Sequence, residues 1–366
     1  MYQYPSIDTP ALLIEQAILE QNLARMQGLV TAHQIALRPH IKTHKMPGLA
    51  RRQLALGAVG IAVAKLSEAE VMARHGIADI QIANQIIGPH KIGRLRDLAR
   101  SVRLSCAVDH PRQVRDISTA FEQEARPVDL LIEIDTGLHR CGLTNLHEVT
   151  QLARVIQQSP GVRFAGLMTH AGHAYAATDR DQLRLIARQE GEQLVSLATG
   201  LRAVGIEVDT VSVGSTPTAG EVIKVPGITE LRVGNYIFND MIQVGLGVAE
   251  VSDCALTVLA SVISTPSADR VVIDAGSKAL SLDRGAHGRT TVTGYGRILG
   301  KQAILDRLSE EHGVITHRGE PFTIGERVRI IPNHACATVN LYDRAYLVSN
   351  VDVIEELRIE ARGMLT

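Results

Sequence analysis

The chain is predicted to be an α/β protein: a (β/α)8, TIM-like barrel followed by a C-terminal, mostly antiparallel β domain. Three observations predict it. Between residues 35 and 238, eight short apolar runs with strand character alternate with stretches of helical period. After residue 247 the helical period fades, and strand-like runs separated by turns take over. The ends of the eight runs, where a parallel barrel keeps its chemistry, are rich in polar residues.

In order, ALLIE (11–15) reads as a strand surplus to the eight. A helical stretch follows, with Ile18, Leu19, Leu23 and Met26 at three- and four-residue spacings. The barrel strands are expected near 35–42, 59–64, 79–84, 103–108, 128–134, 162–169, 208–213 and 230–238. Later strands are expected at 254–265, 270–276, 291–299, 326–332 and 344–349. The expected domains are a barrel over 16–246 and a β domain over 247–366, which the N-terminal strand segment 1–15 joins.

The 366 residues are too many for one ordinary core and suit two domains. With 45% apolar and 21% charged residues the composition is that of a soluble globular protein. A net charge of −1 favours neither nucleic acid nor an acidic membrane as partner. No apolar run approaches the roughly 20 residues of a membrane span, and the N-terminus lacks the features of a secretory signal. Cys106, Cys141, Cys254 and Cys336 show no disulfide spacing, so a cytoplasmic enzyme with reduced thiols is expected.

The first barrel strand runs into LRPHIKTHK (37–45). On a strand, Arg38, His40 and Lys42 would share one face. A lysine among cationic neighbours loses its proton more easily and becomes a better imine-forming nucleophile. A basic loop that binds an anion or faces solvent is the competing reading. Later strand ends carry Asp135, His139 and Arg140, then His170, His173 and Tyr175. Of these, the two histidines His170 and His173 read as pocket wall, with Tyr175 stacking or hydrogen-bonding.

Gly214-Ser215-Thr216-Pro217-Thr218 combines close backbone approach, hydroxyl donors and a proline placed to open a short helix, a suitable phosphate cradle. A plain turn with a helix cap competes. Gly234 and Asn235 after the eighth strand could complete the cradle, which tips the balance towards phosphate. Near the C-terminus, His334 and Cys336 would project to one face if the strand ERVRIIP continued. They would form half of a zinc-type site with positions left for water or substrate. A buried histidine beside a core cysteine is the alternative.

Taken together, RPHIKTHK, LSEAE (66–70), EIDTGLHRCG, GLMTHAGHAY, GSTPT, ELRVGNYIFND, DAGSKALS and PNHACATVNLYD resemble the D-threonine aldolase and D-serine dehydratase family, alanine racemase-like enzymes of pyridoxal-phosphate fold type III. The resemblance covers nearly the whole chain and implies a barrel packed against a β domain. It implies that Lys42 forms the Schiff base with pyridoxal phosphate. Ser215, Thr216, Gly234 and Asn235 match the phosphate cradle, Tyr175 a cofactor-contacting tyrosine, and Arg140 an arginine near the cofactor ring; His40 joins the cofactor-binding set. His334 and Cys336 match a divalent-metal pair, with zinc favoured over manganese or magnesium.

The resemblance implies a lyase of D-configured 3-hydroxy amino acids. Some aldolases of the family have aspartate where Cys336 stands, and the His-x-Cys form with VGSTPT looks more like the dehydratases. The expected reaction is therefore a D-serine dehydratase-like elimination, with D-threonine aldol cleavage as the alternative. An amino-acid racemase is a third reading and needs a second base, for which Tyr295 or Tyr342 could be offered. Relatives suggest a monomer or homodimer.

Overall fold

A computed structural model describes residues 4–286, 290–319 and 321–366, so residues 1–3 of the expected 1–15 segment lie outside the described residues. The chain divides into two compact units. The barrel unit comprises Met26–Lys42, Pro47–Gly234 and Gly363–Thr366. The β unit comprises Met1–Arg25, Thr43–Met46 and Asn235–Arg362. These units meet after Arg25 and after Gly234, and a further boundary passes between Lys42 and Thr43. Side chains of the first helix explain the first boundary. Asn22 Nδ2 donates to the carbonyls of Ile237 and Asp253, and Arg25 pairs with Asp253 at 2.7 Å, all within the β unit.

The strand expected at 11–15 is β1 (Ala11–Glu15). The barrel follows as β2 (Ala36–Leu37), β3 (Ile61–Val63), β4 (Asp79–Gln85), β5 (Arg103–Val108), β6 (Val128–Ile134), β7 (Val162–Thr169), β8 (Thr210–Val213) and β9 (Glu230–Leu231). All eight pair in parallel in the order β2-β9-β8-β7-β6-β5-β4-β3. A parallel bridge between His40 and Ala62, and bonds from Val59 N to Leu37 O and Ala62 N to Pro39 O, bring β2 back to β3 and close the ring. Strand β6 is buried throughout, which is why VDLLIEI is a nearly unbroken apolar run. Ala107, Leu131, Ala165 and Met168 pack together in the interior. Gly166 sits at φ +143° where the β6–β7 register shifts, and a Cβ there would collide with the Thr210 carbonyl.

Several of the expected strands are cut short, among them that over 291–299, of which only Gly296–Ile298 forms. The strand expected over 35–42 ends at Leu37, and Ile41–Thr43 is a 3-10 turn, so Lys42 does not continue a strand face shared with Arg38 and His40. Pro39 interrupts the ladder because it has no N–H to give. The strand expected over 230–238 ends at Leu231, and Asn235–Ile237 is again 3-10.

The β unit contains β10 (Leu256–Ser267), β11 (Arg270–Ile273), β12 (Gly296–Ile298), β13 (Ala303–Leu308), β14 (Gly313–His317), β15 (Arg327–Pro332), β16 (Arg344–Ser349) and β17 (Asp352–Arg358). The pairings β10-β11-β14-β13-β12-β15 return to β10, so six strands close on themselves. β1 runs antiparallel to β10 and parallel to β16, and Tyr4, Ile7, Ala11, Leu13, Leu259 and Val348 form the core beneath it. Strands β13, β14 and β17 were not expected from the sequence. Among the described residues no helix is long and apolar enough to cross a membrane.

Candidate functional site

In the barrel unit the candidate residues gather at the C-terminal ends of the strands. Lys42 lies in the 3-10 turn after β2, and its backbone N–H donates to His40 Nδ1 at 3.3 Å. His170, just after β7, has its Nδ1 3.1 Å from the Gly214 carbonyl. The carbonyl can only accept, so that nitrogen carries the proton. Burial lowers both imidazoles well below their ordinary values, and the charges of Lys42, Arg140 and Arg232 push the same way. Both rings are therefore neutral near pH 7.

Arg140 is held by Glu133 of β6 at 3.3 Å, and the other oxygen of Glu133 accepts from Gln85 Nε2 at 2.6 Å. Arg232, buried just past β9, donates to Ser212 Oγ and to the Thr169 carbonyl, both at 2.6 Å. Tyr175 is half-buried in the turn Gly172–Ala176.

The loop after β8 begins at Gly214, which sits at φ +140° with the Arg232 backbone 3.0 Å from where a Cβ would stand. Only glycine fits both conditions. Ser215 is buried and Thr216 partly exposed. The helix expected to open at Pro217 starts two residues later, at Ala219, with Thr218 as its cap. Behind the loop stands the buried carboxylate of Glu190, which accepts from Gly214 N at 3.0 Å and Thr218 Oγ1 at 2.8 Å. Burial raises its pKa to about 7 although these bonds oppose the shift. Hydroxyls beside tightly turned backbone suit a phosphate, and a lysine beside two neutral imidazoles suits a carbonyl cofactor. The residues present therefore fit pyridoxal phosphate.

In the β unit, β15 stops at Pro332, and His334 and Cys336 lie at the start of a short helix, Ala335–Val339, not on a continuing strand. Asn333 turns the chain by donating from Nδ2 to the carbonyls of Asp283 and Gly294. The helical turn still brings the pair together, because the His334 ring hydrogen-bonds Cys336. Its Nδ1 faces Asp283 Oδ2 at 2.7 Å. Burial opposes a charge on this ring, but Asp283, Cys336 and nearby Asp240 push the imidazole well above its ordinary value. Such surroundings favour a cation, and an imidazole with a thiol is a borderline-soft donor set that fits zinc. Thr43, which follows Lys42 in the sequence, has its hydroxyl 3.2 Å from Cys336 Sγ.

Asp240 organises the same region. Its Oδ2 accepts from Ala335 N at 2.9 Å and Asn235 Nδ2 at 2.6 Å, and its Oδ1 from Gln243 N at 3.1 Å. The Asn235 amide nitrogen is thereby committed, and its Oδ1 is buried with no hydrogen-bond partner among the described residues. Gly234 falls in the barrel unit and Asn235 in the β unit. Neither tyrosine offered as a racemase base is placed simply for that role. Tyr342 donates to the Ala279 carbonyl at 3.0 Å, with its phenol pushed up by burial, and Arg284 lies over the Tyr295 ring.

Sequence reasoning missed Asp283, Asp240, Glu133, Arg232 and Glu190. Asp283 lies in DAGSKALSLDRG (274–285), whose small and polar residues read from the sequence equally as lining a domain interface or as a solvated connection, and its partner is 51 residues away.

Residues 14–241 match the family model described as alanine racemase, N-terminal domain, and residues 255–348 match a putative serine dehydratase domain. The chain is 37% identical to a D-threonine aldolase of Arthrobacter sp., over 98% of this chain and 93% of that protein. It is 36% identical to the D-threo-3-hydroxyaspartate dehydratase of Delftia sp. strain HT23, over 91% and 92%. A solved structure of D-threo-3-hydroxyaspartate dehydratase, a cysteine-to-alanine mutant in the metal-free form, superposes with a TM-score of 0.91 at 33% identity, covering 98% of this chain and 99% of that one.

Proposed function

This chain belongs to the alanine racemase-like family of lyases that includes D-threonine aldolases and D-serine dehydratases, and from that premise we propose that it uses pyridoxal phosphate and a divalent metal to eliminate the β-hydroxyl of D-3-hydroxy amino acids, giving a 2-oxo acid and ammonia. The observation that carries this reading is the His334–Cys336 pair, with Asp283 on the histidine's far nitrogen. Among the described residues no group of three His, Cys, Asp or Glu could hold a metal ion. The pair leaves positions open for water and substrate, as catalytic sites do and closed structural sites do not. The metal-free form of the dehydratase's cysteine-to-alanine mutant supports the metal reading.

Bound pyridoxal phosphate supplies the electron sink for the pair released at the substrate Cα, and the metal supplies a Lewis acid at the β-hydroxyl. Lys42 anchors the cofactor and takes the Cα proton on Nζ. Ser215 and Thr216, with the backbone at Gly234 and Asn235, hold the phosphate. Tyr175, His40 and Arg140 line the cofactor, and Glu133 keeps Arg140 in place. His334 and Cys336 hold the metal, zinc in this reading, and Asp283 fixes the His334 tautomer so that Nε2 is the ligand. Four free cysteines fit a reducing, cytoplasmic setting.

Aldol cleavage is the second reading, favoured by the 37% identity to an aldolase against 36% to a dehydratase. Products from D-threonine decide. 2-Oxobutanoate and ammonia, lost with a chelator, are the expected result. Glycine and acetaldehyde would move the assignment to the aldolase. L-Threonine formed regardless of chelator would overturn the metal-centred mechanism.

A further inference from the structure

Glu190 takes no part in the chemistry above, yet it is fully buried midway along the helix Arg180–Ala203. A carboxylate in that position is costly unless its oxygens are met by donors. Every hydrogen-bond neighbour it has is one. Gly214 N reaches Oε1 at 3.0 Å, Thr218 Oγ1 reaches Oε2 at 2.8 Å, and the Ala171 backbone N–H also bonds the carboxylate. Gly214 and Thr218 bracket Ser215, Thr216 and Pro217 in the loop after β8, and Ala171 lies in the loop after β7. One side chain therefore ties both loops to one helix.

The approach is close. At the next residue, Gly191, a Cβ would stand 2.8 Å from Val225, so the helix can sit this near only because that residue has no side chain. Thr218 extends the tie. Its hydroxyl is 3.2 Å from Ser215 Oγ and 3.4 Å from Ser215 N. The loop's two ends are thus fixed from behind through one buried carboxyl group. Glutamine keeps one of the two oxygens, and its amide nitrogen replaces the other only if the Thr218 hydroxyl turns to accept and so gives up its present bonds.

We propose that Glu190 is a positioning residue that shapes the 214–218 loop to receive the cofactor's phosphate. The proposal rests on reading that loop as the phosphate cradle. A merely structural tie would affect any ligand of the barrel alike, whereas a phosphate-shaping role is specific to the phosphate.

The test uses the protein stripped of cofactor and reconstituted, with dissociation constants measured for pyridoxal phosphate and for pyridoxal, which lacks the phosphate. Glu190→Gln is expected to weaken pyridoxal phosphate about tenfold, the worth of one buried hydrogen bond, and to leave pyridoxal within about twofold. Thr218→Val, which removes the hydroxyl's bonds to Glu190 and to Ser215 and keeps the carboxyl group, is expected to do the same and decides the matter if Glu190→Gln does not fold. Equal weakening of both compounds, or of neither, overturns the role of Glu190. A wild-type protein with no preference for pyridoxal phosphate over pyridoxal overturns the cradle reading itself.

Discussion

The two ends of the barrel treat positive charge in opposite ways. At the N-terminal ends of the strands, cations and carboxylates alternate. Arg38 bonds Glu230 at 2.7 Å and Asp79 at 2.6 Å, Arg103 lies between Asp79 and Asp129, and Arg163 grips Asp129 with two bonds and reaches Asp209. At the C-terminal ends, burial strips two imidazoles of their charge, and Lys42, Arg140 and Arg232 push the same way. Arg38 and His40 stand two residues apart and meet these different fates. Where charge is paired the end serves stability. Where electrostatic repulsion is tolerated, the groups are poised for binding and proton transfer.

The comparison predicts its largest effect at the paired end. Arg38→Ala leaves the buried Glu230 without its ion-pair partner and Asp79 with only Arg103. It should destabilise the fold by about 3–5 kcal/mol in denaturant unfolding, and a loss under about 1 kcal/mol would show that the N-terminal network is decorative. At the metal pair, Asp283→Asn should weaken zinc affinity roughly 10- to 100-fold in a chelator competition, as expected for removal of a histidine's orienting carboxylate. Unchanged affinity would remove Asp283 from the account.

Acid should act through the crowded end. His40 and His170 are neutral when folded and titrate near 6.5 when unfolded. The unfolded chain therefore binds more protons, and stability present above about pH 6.5 is lost as pH falls towards the lowered folded values. Replacing both with glutamine should flatten that limb of a stability–pH curve. Glu190 works in the opposite sense. With its folded pKa raised to about 7, its contribution is present below about pH 4.3 and is lost as pH rises through about 7. The smallest effect is expected for Arg140→Ala. Its side chain is 48% exposed, so losing the Glu133 pair should cost under about 1 kcal/mol of stability, while cofactor affinity or turnover falls measurably.

Legibility in the sequence followed how local the determinants are. Strands β4 to β7 were readable because a buried parallel strand needs only its own apolar run. Lys42 was singled out on a strand face, but the strand ends at Leu37 and Lys42 lies in a 3-10 turn, where the alternation of a strand does not hold. His334 and Cys336 were paired for the wrong local reason: a helix cap, set by Asp240 on Ala335 N, does what a strand face was expected to do. β17 stayed hidden because it is exposed at almost every position of DVIEELR, with no buried face to impose a period. Asp283 and Glu190 were illegible because their contacts run to partners far along the chain, His334 for Asp283 and Ala171, Gly214 and Thr218 for Glu190.

The most direct test of the central claim is where the cofactor attaches. Borohydride reduction of the holoenzyme, digestion and peptide mass mapping should place the pyridoxyl mass on Lys42, and Lys42→Ala should carry none. A pyridoxyl group found on Lys45 or Lys65, or retained by Lys42→Ala, would contradict the assignment of the crowded end as the catalytic one.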